Sequence, residues 1–423
     1  MVYIFDECPV VKLFYMKYLF ILSLVFCLGC SRKVTIHDIK TYDFPSPVNT
    51  ESRPIQYQEY KIYHVGTIHA TNDFPSGRLN NFTQKDDSTY QATISAENTP
   101  INHSPWYAFK LWSETKQKIR IELNYTEHFH RYYPKISKNG ENWIPLDSSR
   151  FRLLEDSVNA LITLELDTDT LWVAAQEIQD YRRVGDWVQE MGKNELVRSS
   201  IAGKSPQGRS LYHFKISKGS DKHKPTIIII SRQHPPEVTG YLAMQAFVET
   251  IIKEGANNGF LAQYNVMVYP LMNPDGVDLG HYRHNTGGVD LNRDWAYYHQ
   301  PEIKQVVNHM VNETNKRDNE VVLGLDFHST WKDVYYTMDD TIESILPDFT
   351  SKWLDLIKGK LYIENINEQP SGLGSPVSKG WFYQQFKAES ITYEIGDNTP
   401  RDFIKVKGEV SARAMMELLM KEL

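Results

Sequence analysis

The chain has 423 residues, 41% of them hydrophobic and 23% charged, with a formal net charge of −7. That length and apolar content suffice for two domains of ordinary size, each with its own core. The mild negative balance argues against a basic groove for nucleic acid and against a polybasic membrane patch, so no nucleic-acid partner is expected.

In chain order, residues 1–30 read as a signal segment. Lys17 precedes the apolar run 18–26, which is too short for a comfortable membrane span and fits the apolar region of a signal. The run ends in Leu28-Gly29-Cys30, which resembles a bacterial lipoprotein signal with cleavage before Cys30 and lipidation of that cysteine. Cys27 departs from the usual aliphatic residue three positions earlier. Asp6 and Glu7 are out of place in a positively charged leader and point to Met16, rather than Met1, as the start. A short buried or anchor helix is the alternative. The signal reading predicts a lipid-anchored protein of the bacterial cell envelope, facing the periplasm or the cell surface. Cys8, Cys27 and Cys30 are the only cysteines. Any metal held beyond this segment must therefore be bound by histidine and carboxylates.

Residues 31–56 are polar, carry Pro45, Pro47 and Pro54, and read as a linker or arm. Residues 57–170 read as a β-sandwich domain. Period-two patterns at 106–111, 119–123 and 161–166 are separated by turn signals such as Lys138-Asn139-Gly140. His128 and His130, two apart, face one side if they lie on a strand, but two imidazoles make a poor metal site and packed histidines are the plainer reading.

From 175 to 423 the pattern is α/β. A helical stretch at about 171–190 precedes a turn at 203–209. Strands at 226–231, 264–271, 321–327 and 390–395 then alternate with helices at about 238–253, 301–316, 344–358 and 401–422. That order predicts a mixed or largely parallel sheet with helices on both faces. Ligands of such sheets bind beyond the carboxyl ends of the strands, where His234, Asn273, His328 and Glu394 fall.

His234-Pro235-Pro236-Glu237 follows the apolar run 226–230, and His328 ends another. Two imidazoles and one carboxylate make a zinc set with the fourth position open. Taken alone, the first pair also reads as a loop histidine and a glutamate favoured at a helix start. Asp326 alternates with His328 and is placed to orient it. Arg283, Asn292 and Arg293 bring cationic and amide donors to the same sheet edge, suited to a carboxylate or a developing oxyanion. Glu394 is a carboxylate inside an apolar strand, which is costly unless paired or functional.

Together these elements resemble the zinc carboxypeptidases of the M14 family. His-x-x-Glu, Asn-Pro-Asp-Gly, Asp-Leu-Asn-Arg, Asp-x-His-Ser and a final Tyr-Glu occur in the family's order along residues 180–423. The forms around Arg232, Asn273 and Asp290 look most like the cytosolic-carboxypeptidase branch. The resemblance implies an α/β carboxypeptidase-type domain preceded by the β-sandwich, and one Zn2+ per chain on His234, Glu237 and His328. It further implies Glu394 as general base, Arg283 as oxyanion donor, and Asn292 with Arg293 as the clamp for the terminal carboxylate of a peptide substrate. An ungapped alignment on Trp381 and Glu394 puts Lys379 at the bottom of the pocket for the C-terminal side chain, which predicts a preference for acidic ends. The family's mobile tyrosine falls at Gly372, leaving Tyr383, a nearby tyrosine or none in that role. Three other readings use or forgo the same residues: a cell-wall hydrolase acting at γ-linked glutamate, an amide deacylase, and a non-catalytic peptide-binding lipoprotein.

Overall fold

The computed structural model describes residues 38–44 and 47–421. The expected signal segment and Cys30 lie outside the described residues. No helix among the described residues is long and apolar enough to cross a membrane.

Residues 62–174 form two facing sheets. One joins Ile62–Val65, Ile68–Thr71, Ala108–Ser113, Leu171–Ala174, Lys135–Ser137 and Ile144–Pro145 in that spatial order. The other joins Asn81–Gln84, Thr89–Ile94, Gln117–Tyr125, Ala160–Leu166 and Phe151–Leu153. Alternate residues point into one shared core: Ala70, Phe109, Leu111 and Val173 from the first sheet meet Ala92, Ile121, Leu123 and Ile162 from the second. This is the expected sandwich. Val238 and Tyr282, from the following domain, are buried in the same core.

The α/β domain begins with helix α1 (Tyr181–Met191), whose N-cap Asp180 accepts from the Arg183 amide. The helix expected from about 171 therefore starts ten residues later. Leu171–Ala174 is instead a strand paired with Ala108–Ser113, where its apolar and aromatic side chains pack on the sandwich. Next come strands β1 (Val197–Lys204), β2 (Ser210–Ile216) and β3 (Thr226–Ser231), helix α2 (Val238–Glu254), strand β4 (Asn265–Tyr269) and helix α3 (Pro301–Asn315). The chain closes with β5 (Val321–Thr330), β6 (Val334–Met338), α4 (Phe349–Leu361), β7 (Glu368–Ser371), α5 (Ser378–Phe386), β8 (Glu389–Gly396) and α6 (Arg401–Leu419).

The eight strands form one mixed sheet in the order β1-β2-β4-β3-β5-β8-β6-β7. Its centre is parallel: β4 with β3, β3 with β5, and β5 with β8. Central parallel strands are covered on both faces, which is why 226–230 reads as an unbroken apolar run. Ile227 and Ile229 join the core under α1, α2, α4 and α6, whereas Ile228 and Ile230 join the core under α3 and α5. The antiparallel β1–β2 hairpin turns through Gly208, at φ 84°, as the glycine in the 203–209 turn requires. Residues 38–44 and 47–56 contain no helix or strand. Thr50 is buried, with its hydroxyl bonded to Asp294 at 2.5 Å.

Candidate active site

Strand β3 ends at Ser231, and Arg232 turns the chain with a left-handed φ of 56°. Its guanidinium is fully buried, donates to the Pro235 carbonyl at 2.8 Å and lies over the Tyr241 ring. The Asn273 side chain donates to the Gln233 carbonyl at 3.2 Å, so the Asn-Pro-Asp-Gly turn supports this loop from behind. Glu237 then caps α2. It makes no side-chain bond to its own helix, and its carboxylate turns toward the two histidines. Helix α2 crosses β5 so closely that a Cβ on Gly240 would lie 2.1 Å from the His328 carbonyl oxygen. That approach carries Glu237 up to His328.

His234 Nδ1 lies 2.8 Å from one Glu237 oxygen and His328 Nδ1 lies 2.6 Å from the other. The opposite ring nitrogens are held by carboxylates, His234 Nε2 by Asp290 and His328 Nε2 by Asp326, both at 2.8 Å. Ligand atoms of His234, Glu237 and His328 all fall within 4.8 Å of one another, and all three residues are buried. A borderline-soft cation that takes two imidazoles and a carboxylate, with both outer nitrogens already oriented, fits this donor set: it is a zinc site. Burial alone would raise the Glu237 carboxyl, but His234 and His328 hold it well below the usual carboxylate range. Burial likewise opposes charge on His328, and Asp326 and Glu237 overcome it, raising its pKa well above the ordinary value.

Asp326 also accepts from Gln233 at 2.6 Å and from the Ser378 hydroxyl. One carboxylate thus ties His328, the β3 loop and the start of α5 together. Asp326→Asn is expected to weaken zinc binding by roughly 10- to 100-fold. A zinc titration against a competing chelator measures this, and unchanged affinity would remove Asp326 from the role.

The three ligands open into a cleft of about 850 Å³ that also reaches Arg283, Asn292, Arg293, Lys379 and Glu394. His234, Glu237, His328, Arg283, Asn292, Arg293, Lys379 and Glu394 therefore share one cavity, whereas Asn273 and Asp326 do not line it. Glu394 sits beside His328 in the β5–β8 ladder, and burial pushes its carboxyl up to about 7. Arg283 Nε donates to Asp290 at 2.8 Å. The Asn292 oxygen accepts the Ser378 amide at 2.9 Å, and its NH2 lies 3.4 Å from His328 Nε2. Arg293 is partly exposed and braced on the Asn292 carbonyl at 2.8 Å. Lys379 lies in the first turn of α5, and its ammonium donates to the Thr337 carbonyl at 2.5 Å and to the Ser371 hydroxyl at 2.6 Å. Burial lowers its pKa to about 8.

Tyr383 does not line this cleft, and Lys387 lies over its ring. The tyrosine that does line it is Tyr336 on β6, which is half-buried; Gly372 lines the same cleft. His128 and His130 lie in a loop, with no shared strand face. His130 is buried, 2.9 Å from the Tyr125 hydroxyl, while His128 stands on the cleft rim. Sequence reasoning missed Asp290 as the partner of both His234 and Arg283. It also missed the sandwich's share of the cavity wall, where His103 and Arg131 line the cleft and Arg131 pairs with Asp397 at 2.8 Å. Asp290 is 56 positions from His234 and Arg131 is 266 from Asp397, and no local pattern announces either pairing; Arg283 lies only seven positions from Asp290, in a loop whose path no periodicity gives.

The chain is similar to several known proteins. A protein of Zymomonas mobilis is 24% identical over 259 residues, covering 58% of this chain and 64% of its own length. Cytosolic carboxypeptidase 2 of Danio rerio is 24% identical over 304 residues, covering 62% of this chain and 41% of its own. The chain thus spans less than two thirds of either relative. The metallo-carboxypeptidase of Burkholderia cenocepacia superposes with a TM-score of 0.70 at 16% identity, over 84% of this chain and 100% of that one, a likeness of fold. The Peptidase M14 zinc carboxypeptidase model matches residues 184–419, more than half of the chain, and the protein belongs to that family.

Proposed function

We propose that the protein is a zinc-dependent carboxypeptidase that hydrolyses the C-terminal bond of peptides or proteins. The observation that carries this reading is the single cleft onto which His234, Glu237, His328, Glu394, Arg283 and Asn292 all open. When bound, the zinc ion supplies a Lewis acid that activates water and polarises the scissile carbonyl. Glu394 takes the proton from the attacking water and passes it to the leaving amine nitrogen, the role for which a buried carboxylate with a raised pKa is suited. Arg283, oriented through Nε by Asp290, directs its remaining N–H groups at the carbonyl oxygen as charge develops there. Asn292 and Arg293 hold the substrate's terminal carboxylate and so select the last residue of a chain.

Lys379 sets a preference for acidic C-terminal residues in the same reading. Its side chain lines the same cleft as Ser371 and Thr392, and its ammonium donates to the Ser371 hydroxyl at 2.6 Å. Lys379→Glu is expected to move the kcat/KM ratio of glutamate over lysine ends by at least about tenfold toward lysine. In the unaltered enzyme the preference should fade as pH rises through about 8, where the buried ammonium loses its proton. An unchanged preference would sink the assignment. Placement in the cytosolic-carboxypeptidase-like branch, with a lipid anchor at Cys30 on a bacterial envelope, completes the proposal and rests on the motif forms and the signal-like segment.

The test is a set of peptides differing only in the last residue, with α- and γ-linked glutamate included, assayed with and without a chelator. Release of one C-terminal residue, lost with chelator and restored by zinc, is the expected result. Release confined to γ-linked glutamate favours the cell-wall reading. Binding without release from every peptide favours the non-catalytic one.

A further inference from the structure

Glu97 belongs to the sandwich, just beyond the strand Thr89–Ile94, and is completely buried. Its carboxylate accepts three consecutive amides of the α/β domain: Tyr282 at 2.7 Å, Arg283 at 3.0 Å and His284 at 2.7 Å. Arg78, also buried, stands 3.7 Å from the same carboxylate and donates Nε to the Gly280 carbonyl at 2.8 Å. Asn98 completes the grip. Its side chain lies 2.6 Å from His284 Nδ1 and donates to the Gly288 carbonyl at 3.0 Å. Every one of these contacts falls on the segment 280–288, which carries Arg283 and runs into Asp290. Tyr282 itself is buried in the sandwich core.

An ionised carboxylate is costly to bury, and satisfying it with three backbone donors, with a guanidinium 3.7 Å away as counter-charge, is a specific arrangement. Three amides converging on one carboxylate fix the backbone of residues 282–284 and with it the direction in which the Arg283 side chain leaves the chain. Asp290 then fixes Nε. We propose that Glu97, Arg78 and Asn98 form an interdomain clamp whose function is to position Arg283, making Glu97 a positioning residue for the reaction. The sandwich is then part of the catalytic apparatus. The inference rests on Arg283 acting at the carbonyl oxygen as proposed above.

The test is a double-mutant cycle on the full chain, with Glu97→Gln, Arg283→Gln and both together. The Glu97→Gln side chain keeps the shape of the glutamate but presents an NH2 where an amide donor needs an acceptor. Turnover of an N-acylated dipeptide ending in glutamate is measured alongside zinc content and the affinity for a phosphonate analogue of the tetrahedral state. Glu97→Gln is expected to lower kcat by on the order of tenfold to a hundredfold, the scale of a misplaced catalytic group, with KM and zinc content little changed. Phosphonate affinity should fall with kcat. In the Arg283→Gln background the same change should alter kcat less than about twofold, because the group it positions is gone. Effects that multiply would overturn the clamp, as would a Glu97→Gln enzyme with unchanged kcat and phosphonate affinity. If Arg283→Gln alone leaves turnover intact, the oxyanion assignment fails instead. Should Glu97→Gln not fold, Asn98→Ala, at a half-buried position, runs the same cycle with the same criteria.

Discussion

Glu394→Gln lowers kcat by about 10³-fold while the protein keeps its zinc. The side chain lies against His328 in the β5–β8 ladder and within the field of Glu237, His234 and Arg283. Glutamine preserves volume and hydrogen-bonding shape in that setting but cannot take a proton from water. The metal ligands are other residues, so metal content stays at the level of the unaltered enzyme. The measurement is steady-state turnover of a peptide substrate together with zinc analysis of the same sample. Turnover that survives with zinc in place would remove Glu394 from the mechanism. Loss of both turnover and zinc would show that Glu394 supports the metal site.

Glu237→Gln abolishes activity by the other route, through the metal. Glu237 is the residue that both Nδ1 atoms face, and the charge it carries is what three ligands with two neutral imidazoles require. Structural zinc affinities of ~12 kcal/mol spread over a small ligand set imply that losing one anionic ligand weakens binding by on the order of 10³-fold or more. A competitive titration with a chromophoric chelator reads the affinity directly. Activity should return only at zinc concentrations raised in proportion. An affinity within about tenfold of the unaltered protein would mean that Glu237 is not a ligand.

Much of the site was legible because His234 and Glu237 follow one apolar strand and His328 and Glu394 lie near the carboxyl ends of two others. Ile227 to Ile230 mark a central parallel strand, and the positions just past such strands are where ligands gather. The His-x-x-Glu spacing and the alternation of Asp326 with His328 added geometry that survives folding unchanged. The groups that escaped notice are held by long-range contacts. Glu97 is 185 to 187 positions from the amides it binds, and Asp290 is 56 from His234. Helix α5 escaped for a different reason. Trp381, Phe382 and Phe386 are buried on one side while Lys379 and Gln385 are buried as well, so no polar stripe alternates with an apolar one. The helix expected over 344–358 begins at Phe349 instead, after Pro347 and an Asp348 whose φ of 59° breaks the helical path.

His328 and Glu394 face each other across hydrogen-bonded parallel strands, on the side of the sheet opposite Phe327 and Tyr393. Neighbouring strands are spaced by about 4.8 Å whatever their sequence, so the backbone ladder acts as the ruler between base and metal ligand. That interval does not depend on a loop closing or on a ligand arriving. A slip of one residue in β8 would bring Tyr393 or Ile395 to the cleft and send the carboxylate into the apolar layer under α2 and α6. Insertions and deletions in the surface loops of this enzyme should therefore be tolerated in evolution far more readily than any change in the length of these two strands.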